Sequence, residues 1–163
     1  MKHLPKHLQP RWRYLAVGLE AWPDADLSRG AFQRAVWYAA GNLLGDTGSA
    51  DADLRVFQFE FGAGTGEAVV RVRRGEVGPA RAALACVHEI DGHPVGLHVR
   101  GVSGTIRACE ERYLGRRARV PAGRRVVFEN DRRRGHVRDG IVDVAGPDGF
   151  TGATELDLES EST

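Results

Sequence analysis

The side chains able to do chemistry are present but scattered. The six histidines, at 3, 7, 88, 93, 98 and 136, form no HExxH pair and no Cys/His cluster of metal-ligand spacing. His3 and His7 stand four apart, but in a Pro-containing segment rather than on a helix face. Glu110 and Glu111 are adjacent, so on a helix they diverge and cannot share acid–base work. Glu111 instead stands four residues after Arg107, the spacing of a helical ion pair. Gly101-Val102-Ser103-Gly104 lacks the spacing of a nucleophile elbow. Gly62-Ala63-Gly64-Thr65-Gly66 is followed by neither GKS/T nor a helix, so it reads as a hairpin connection, not a phosphate cradle. The clustered carboxylates of a metal-dependent nuclease are not visible. The expectation is a chain with no catalytic residue, no metal and no cofactor of its own.

Its chemistry is cationic. Of 23 Lys and Arg residues in 163, only Lys2 and Lys6 are lysines. A GC-rich genome would encode arginine by default, so the clustering carries more than the count. Residues 1–138 hold every cation and 15 of the 22 acids, a net of +8, while residues 139–163 hold seven acids and no cation. A basic body with an acidic tail calls for an anionic partner. Arginine suits bidentate phosphate contacts and stacking on bases.

No apolar run approaches the roughly 20 residues that span a bilayer, so no membrane is expected. Met1-Lys2-His3-Leu4-Pro5-Lys6 has no long apolar region after it, the pattern of a cytoplasmic protein. Cys86 and Cys109 form no disulfide framework and are expected as free thiols.

These residues must be positioned by regular elements. Arg11 to Glu20 alternates with period two, Arg13, Leu15, Val17 and Leu19 on one face and Trp12, Tyr14, Ala16 and Gly18 on the other. Ser28 is a good N-cap for a helix carrying Phe32, Ala35, Val36, Ala39, Ala40, Leu43 and Leu44, with Gly45 at its C-terminus and a loop to Ala52. Asp53–Phe61 and Glu67–Arg74 read as strands joined by the five glycine-rich residues. Val77 to Val87 is a second helix ended by Asp91-Gly92, His93–Val102 a fourth strand, and Thr105–Leu114 an appended helix. In the second strand Phe57, Phe59 and Phe61 share one parity while Leu54 and Val56 share the other, which calls for a bulge or for burial on both faces. The order predicts an α+β fold, a ferredoxin-like or RRM-like α/β sandwich (βαββαβ, four-stranded antiparallel sheet) plus a C-terminal helix and a charged tail. The expected organisation is a basic arm over 1–9, the ferredoxin-like domain over 10–115, and a basic then acidic extension over 116–163, partly disordered or a small hairpin.

With both helices on one side, parity leaves Trp12, Tyr14, Ala16, Gly18, Val69, Arg71, Arg73, Gly96, His98 and Arg100 on the outer face. Aromatics beside arginines suit stacking and phosphate contact. A protein partner anchored on Trp12 and Tyr14, or plain solvent, fits such a face too. No RNP1 motif marks an ordinary RRM.

Beyond these properties, Leu4-Pro5-Lys6-His7-Leu8, Pro10-Arg11-Trp12-Arg13-Tyr14-Leu15, Gly66-Glu67-Ala68-Val69-Val70-Arg71-Val72, Val102-Ser103-Gly104-Thr105-Ile106-Arg107-Ala108 and Glu110-Glu111-Arg112-Tyr113-Leu114 resemble the archaeal ribonuclease P protein component 2 family. The resemblance covers residues 1–115. It implies a subunit without chemistry of its own, which binds and supports a catalytic RNA. That RNA, with its own Mg²⁺, cleaves precursor tRNA to give mature 5′ ends. It also implies ribonuclease P protein component 3 and other protein subunits as partners, with precursor tRNA met indirectly. On this basis Lys2, Lys6, Arg11, Arg13, Arg71, Arg73, Arg100 and Arg107 are expected to bind RNA. Trp12, Tyr14, Ser103, Gly104 and Thr105 are expected to contact RNA or a partner, the turn before Arg107 offering free backbone N–H groups. Rival readings are a protein-interaction module, a small-molecule regulatory domain of the same fold, or an independent phosphatase or nuclease.

Overall fold

The alternating stretch becomes β1 (Trp12–Ala21), with Leu15, Val17 and Leu19 buried on one face. The structure is a computed structural model that describes residues 4–115, 122–138 and 140–158. After β1 comes α1 (Arg29–Ala52), started by Ser28, whose hydroxyl accepts from the Ala31 N–H at 3.1 Å. Gly45, at φ 71° and ψ 176°, interrupts the helical geometry. The stretch after it, expected as a loop, resumes as helix until Asp53 caps it in the left-handed region.

β2 (Arg55–Gly62) and β3 (Thr65–Arg73) follow as a hairpin. The turn is two residues long, not five: Gly62 pairs with Thr65, and Ala63 and Gly64 both take positive φ. Two consecutive positive φ values match the right-handed twist of the strands, so pairing extends to the turn. Then come α2 (Val77–Ala85), β4 (Glu89–Ile90), β5 (His93–Ser103) and α3 (Ile106–Tyr113). Asp91-Gly92, expected as a helix stop, is a second positive-φ hairpin turn, and it closes β4 onto β5. That turn adds a strand to the expected four, so the sheet has five, in the order β2-β3-β1-β5-β4, every pairing antiparallel.

The main core lies between this sheet and the two longer helices. Phe32, Val36 and Ala40 of α1 and Ala80 and Leu84 of α2 meet Leu15, Val17, Leu19, Val70 and Val72. The second-strand conflict resolves as a bulge, the register slipping between Val56 and Gln58. Phe59 and Phe61 pack on the core and Phe57 turns outward.

Residues after 121 depart from the expected hairpin. β6 (Ala122–Phe128), β7 (Asp131–Arg138), β8 (Ile141–Gly146) and β9 (Gly149–Thr154) form a four-stranded antiparallel meander with its own small core of Val126, Val142, Val144 and Ala153. It rests on the body where Phe150 stacks on Trp22, centroids 5.9 Å apart, and where Arg138 Nη1 donates to the Gly64 carbonyl at 3.2 Å. Arg138 also pairs with buried Asp143 at 3.2 Å. Burial pushes the Asp143 carboxyl above its ordinary range, against the pull of Arg138. No described helix is long and apolar enough to cross a membrane.

Candidate nucleic-acid interface

The outer face of the large sheet is divided by α3. Thr105 starts this helix, its hydroxyl accepting from the Ala108 N–H at 3.1 Å. Cys109 then buries against Ala16 and Val69, with Tyr14, Tyr113 and Leu114 around them. A second bulge, between Ala16 and Val17, makes this seating possible by bringing Gly101 opposite Ala16. The Tyr113 ring lies directly over Gly101, where any Cβ would collide with it. The middle of the expected outer face is therefore covered.

Arg100, expected at phosphate, is instead committed inside the fold. Its guanidinium pairs with Glu67, which is almost fully buried, and also donates to the Tyr113 carbonyl at 3.3 Å. The other Glu67 oxygen accepts from the Gly115 N–H at 3.0 Å. Alternation from His93 does put Arg100 on the outer face, within reach of His98 and of Glu67 opposite Gly18; it is α3, packed over that face, that closes it off.

Two regions of the face stay open. At the first, β1–β3 pairing sets Trp12 opposite Arg73 and Tyr14 opposite Arg71, as parity required. The Arg71 guanidinium carbon sits 3.7 Å from the Trp12 ring centroid and 5.2 Å from that of Phe57. Phe57 in turn meets Tyr14 edge-on at 6.3 Å. Asp53 reaches Arg71 at 3.6 Å. Arg71 is thus a half-buried organiser of an aromatic cluster, and Arg73, 5.9 Å from the Trp12 centroid, is its exposed cation. Arg11 is exposed just before Trp12. Phe57 and Asp53 were not foreseen; the parity conflict in the second strand was the signal for Phe57.

The second region is a cleft of about 390 Å³ lined by Arg13, Val102, Ser103, Gly104, Thr105, Ala108 and Arg112. It unites two separately expected points, Arg13 and the strand-to-helix turn, and adds Arg112. The α3 N-terminus opens here, and its first-turn amides carry partial positive charge. Ser103 is buried, and its hydroxyl has no hydrogen-bond partner among the described residues. Arg107, highly exposed, pairs with Glu111 at 2.7 Å, the i,i+4 contact that the spacing foretold. Lys6 is exposed in a short 3₁₀ turn (Lys6–Leu8). Lys2 lies outside the described residues, as do Arg116, Arg117 and Arg119. Among the described residues no three His, Cys, Asp or Glu side chains gather to hold a metal ion.

A family model described as the Rpp14/Pop5 family matches residues 13–114. Two relatives named "Ribonuclease P protein component 2" match nearly end to end. That of Halorubrum lacusprofundi is 59% identical over 98% of this chain and 100% of its own length. That of Haloarcula marismortui is 58% identical over 97% and 99%. A relative of the same name from Methanosarcina mazei is 38% identical over 70% of this chain and 93% of its own length. Almost nothing in that shorter protein is left to match the remaining third of this one.

Proposed function

The chain belongs to the Rpp14/Pop5 family, and from that premise we propose that it is a protein subunit of ribonuclease P, which binds and supports the catalytic RNA. The observation that carries this reading is the near end-to-end match to haloarchaeal component 2 proteins. The holoenzyme cleaves precursor tRNA to generate mature 5′ ends. The RNA performs the hydrolysis with its Mg²⁺; this chain contributes positioning and charge, and it works with component 3. Four long strands in the order β2-β3-β1-β5, with α1 and α2 on one side, support assignment to the ferredoxin-like sandwich.

Arg11 and Arg73 beside the Trp12 cluster, and Arg13 with Arg112 of the last turn of α3 in the shared cleft, are the groups we assign to RNA phosphate. Each guanidinium is exposed or borders an open cleft, and Arg73 stands beside the half-buried Trp12 ring. The test is titration of the catalytic RNA with wild type and with Arg11→Ala plus Arg73→Ala across a range of salt. Loss of two phosphate contacts lowers the salt slope by about one unit per contact. An unchanged slope removes both residues from the interface.

A further inference from the structure

The β6–β7 ribbon carries charge in a pattern that folding does not reward. Register sets Arg125 directly opposite Arg134, with Val127 opposite Arg132 and Gly123 opposite His136 on the same face. Like charges directly opposite destabilise a strand pair. Together with Arg124 and Arg133, which have the opposite parity, these cations line one concavity of about 610 Å³, and among the described residues no Asp or Glu lines it. Arg124, Arg125, Arg132 and Arg134 are exposed; Arg133 is half-buried and reaches Asp131 at 3.6 Å.

The same sheet face has a second half with a different task. From β7–β9 it turns Arg138 and Phe150 onto Gly64 and Trp22 of the body. The His136 ring meets Phe150 edge-on at 5.9 Å, at the border between the docked half and the cationic half. Docking therefore accounts for one half of the face and leaves the arginines of the other unexplained.

We propose that the β6–β7 face is a second RNA-binding surface, taking backbone phosphates of the catalytic RNA beyond those held by the body. This rests on the subunit reading above. Guanidinium forks bind phosphate oxygens bidentately, and a strand repeats its side chains on one face about every 6.6 Å. Arg125, Arg132 and Arg134 on one face, with Arg124 and Arg133 at the same concavity, fit a polyanion, and the aromatic His136–Phe150 border gives a base something to stack on. The surface lies after the segment matched by the family model, so it is an addition to the family's shared domain.

The experiment uses the full chain and the catalytic RNA, over the salt range in which the chain stays folded. Arg125→Gln with Arg134→Gln is compared with wild type and with the doubly charge-retaining Arg125→Lys, Arg134→Lys chain. The Gln pair should lower the slope of log affinity against log salt by about 1.5, at roughly 0.7–0.9 per phosphate, and the Lys pair should keep it. A thermal melt checks folding; if the Gln pair melts early, Arg124→Gln with Arg132→Gln replaces it, with the same expected loss. Wild-type slopes in folded Gln variants overturn the second surface while leaving the subunit reading intact. Wild type that fails to bind the RNA at all overturns both. Gln variants that keep the RNA slope but lose affinity for polyglutamate assign the face to an acidic protein and also overturn the proposal.

Discussion

Two arginines on one strand, two residues apart, do different work. Arg71 is flanked by Trp12 and Phe57 and tied to Asp53, so its guanidinium orders the aromatic cluster; Arg73 keeps its charge in solvent. Arg100 shows the buried extreme. Arg100→Ala leaves Glu67 buried without its cation, and loss of one partner from such a pair costs about 3–5 kcal/mol. Denaturant unfolding should show that loss, and the RNA salt slope should not change. Cys109 makes a separate prediction. Burial, with Glu110 adding, pushes its thiol from an ordinary 9.0 up to about 11. The folded chain holds this proton more tightly than the unfolded one. Its stabilising contribution is therefore complete below pH 9 and disappears as pH rises through about 11. At pH 8 a thiol reagent should label exposed Cys86 and spare Cys109 until the chain unfolds, which mass spectrometry of the labelled chain reads directly. Equal labelling of both would refute the packing of α3.

At the scale of elements, α3 decides what the outer face can touch. It is seated by Gly101 under Tyr113 and by Cys109 over Ala16 and Val69. Gly101→Val drives two methyls and a Cβ into the Tyr113 ring, and overpacking of this kind costs about 1–3 kcal/mol. Exposure of Cys109 to a thiol reagent in the folded variant would report the lifted helix. Periodicity made β1, the Ser28-capped helix and the valine pattern of β5 legible, because one buried face imposes a period on each. The bulges were not all legible. The one in β2 announced itself through competing parities, whereas the one opposite Ala16 falls at Arg100 and Gly101 and leaves the β5 alternation before it intact. Gly62 to Gly66 was legible as a hairpin connection and Asp91-Gly92 only as a helix stop, because the tight turn at each depends on two successive positive φ angles. The helical resumption after Gly45 follows an interruption that looks like an end in sequence. The Arg13 cleft combined points 90 residues apart in sequence, Arg13 and Ser103, which only the β1–β5 pairing brings together.

At the scale of the whole molecule, the chain is a shared domain with an added small sheet. The main core and the α3 cluster both lie within the segment that the family model matches, and the meander has a core of its own. A chain ending at Gly115 should therefore stay folded, within about 2 kcal/mol of the whole by denaturant unfolding. That figure corresponds to the exposed Trp22 face, at roughly the worth of one buried aromatic side chain. It should still bind the catalytic RNA through the Arg11, Arg73 and Arg13 edge, with a shallower salt slope. Failure of the truncated chain to fold would make the meander a structural part of the body.

The most direct measurement of the central claim is reconstitution. Precursor tRNA is offered to the catalytic RNA at limiting Mg²⁺, with and without this chain plus component 3. The subunit account predicts that the pair lowers the Mg²⁺ needed for 5′ cleavage, that this chain alone cleaves nothing, and that Arg11→Ala with Arg73→Ala weakens the rescue. Cleavage by the chain without RNA, or an RNA indifferent to its presence, would contradict the account.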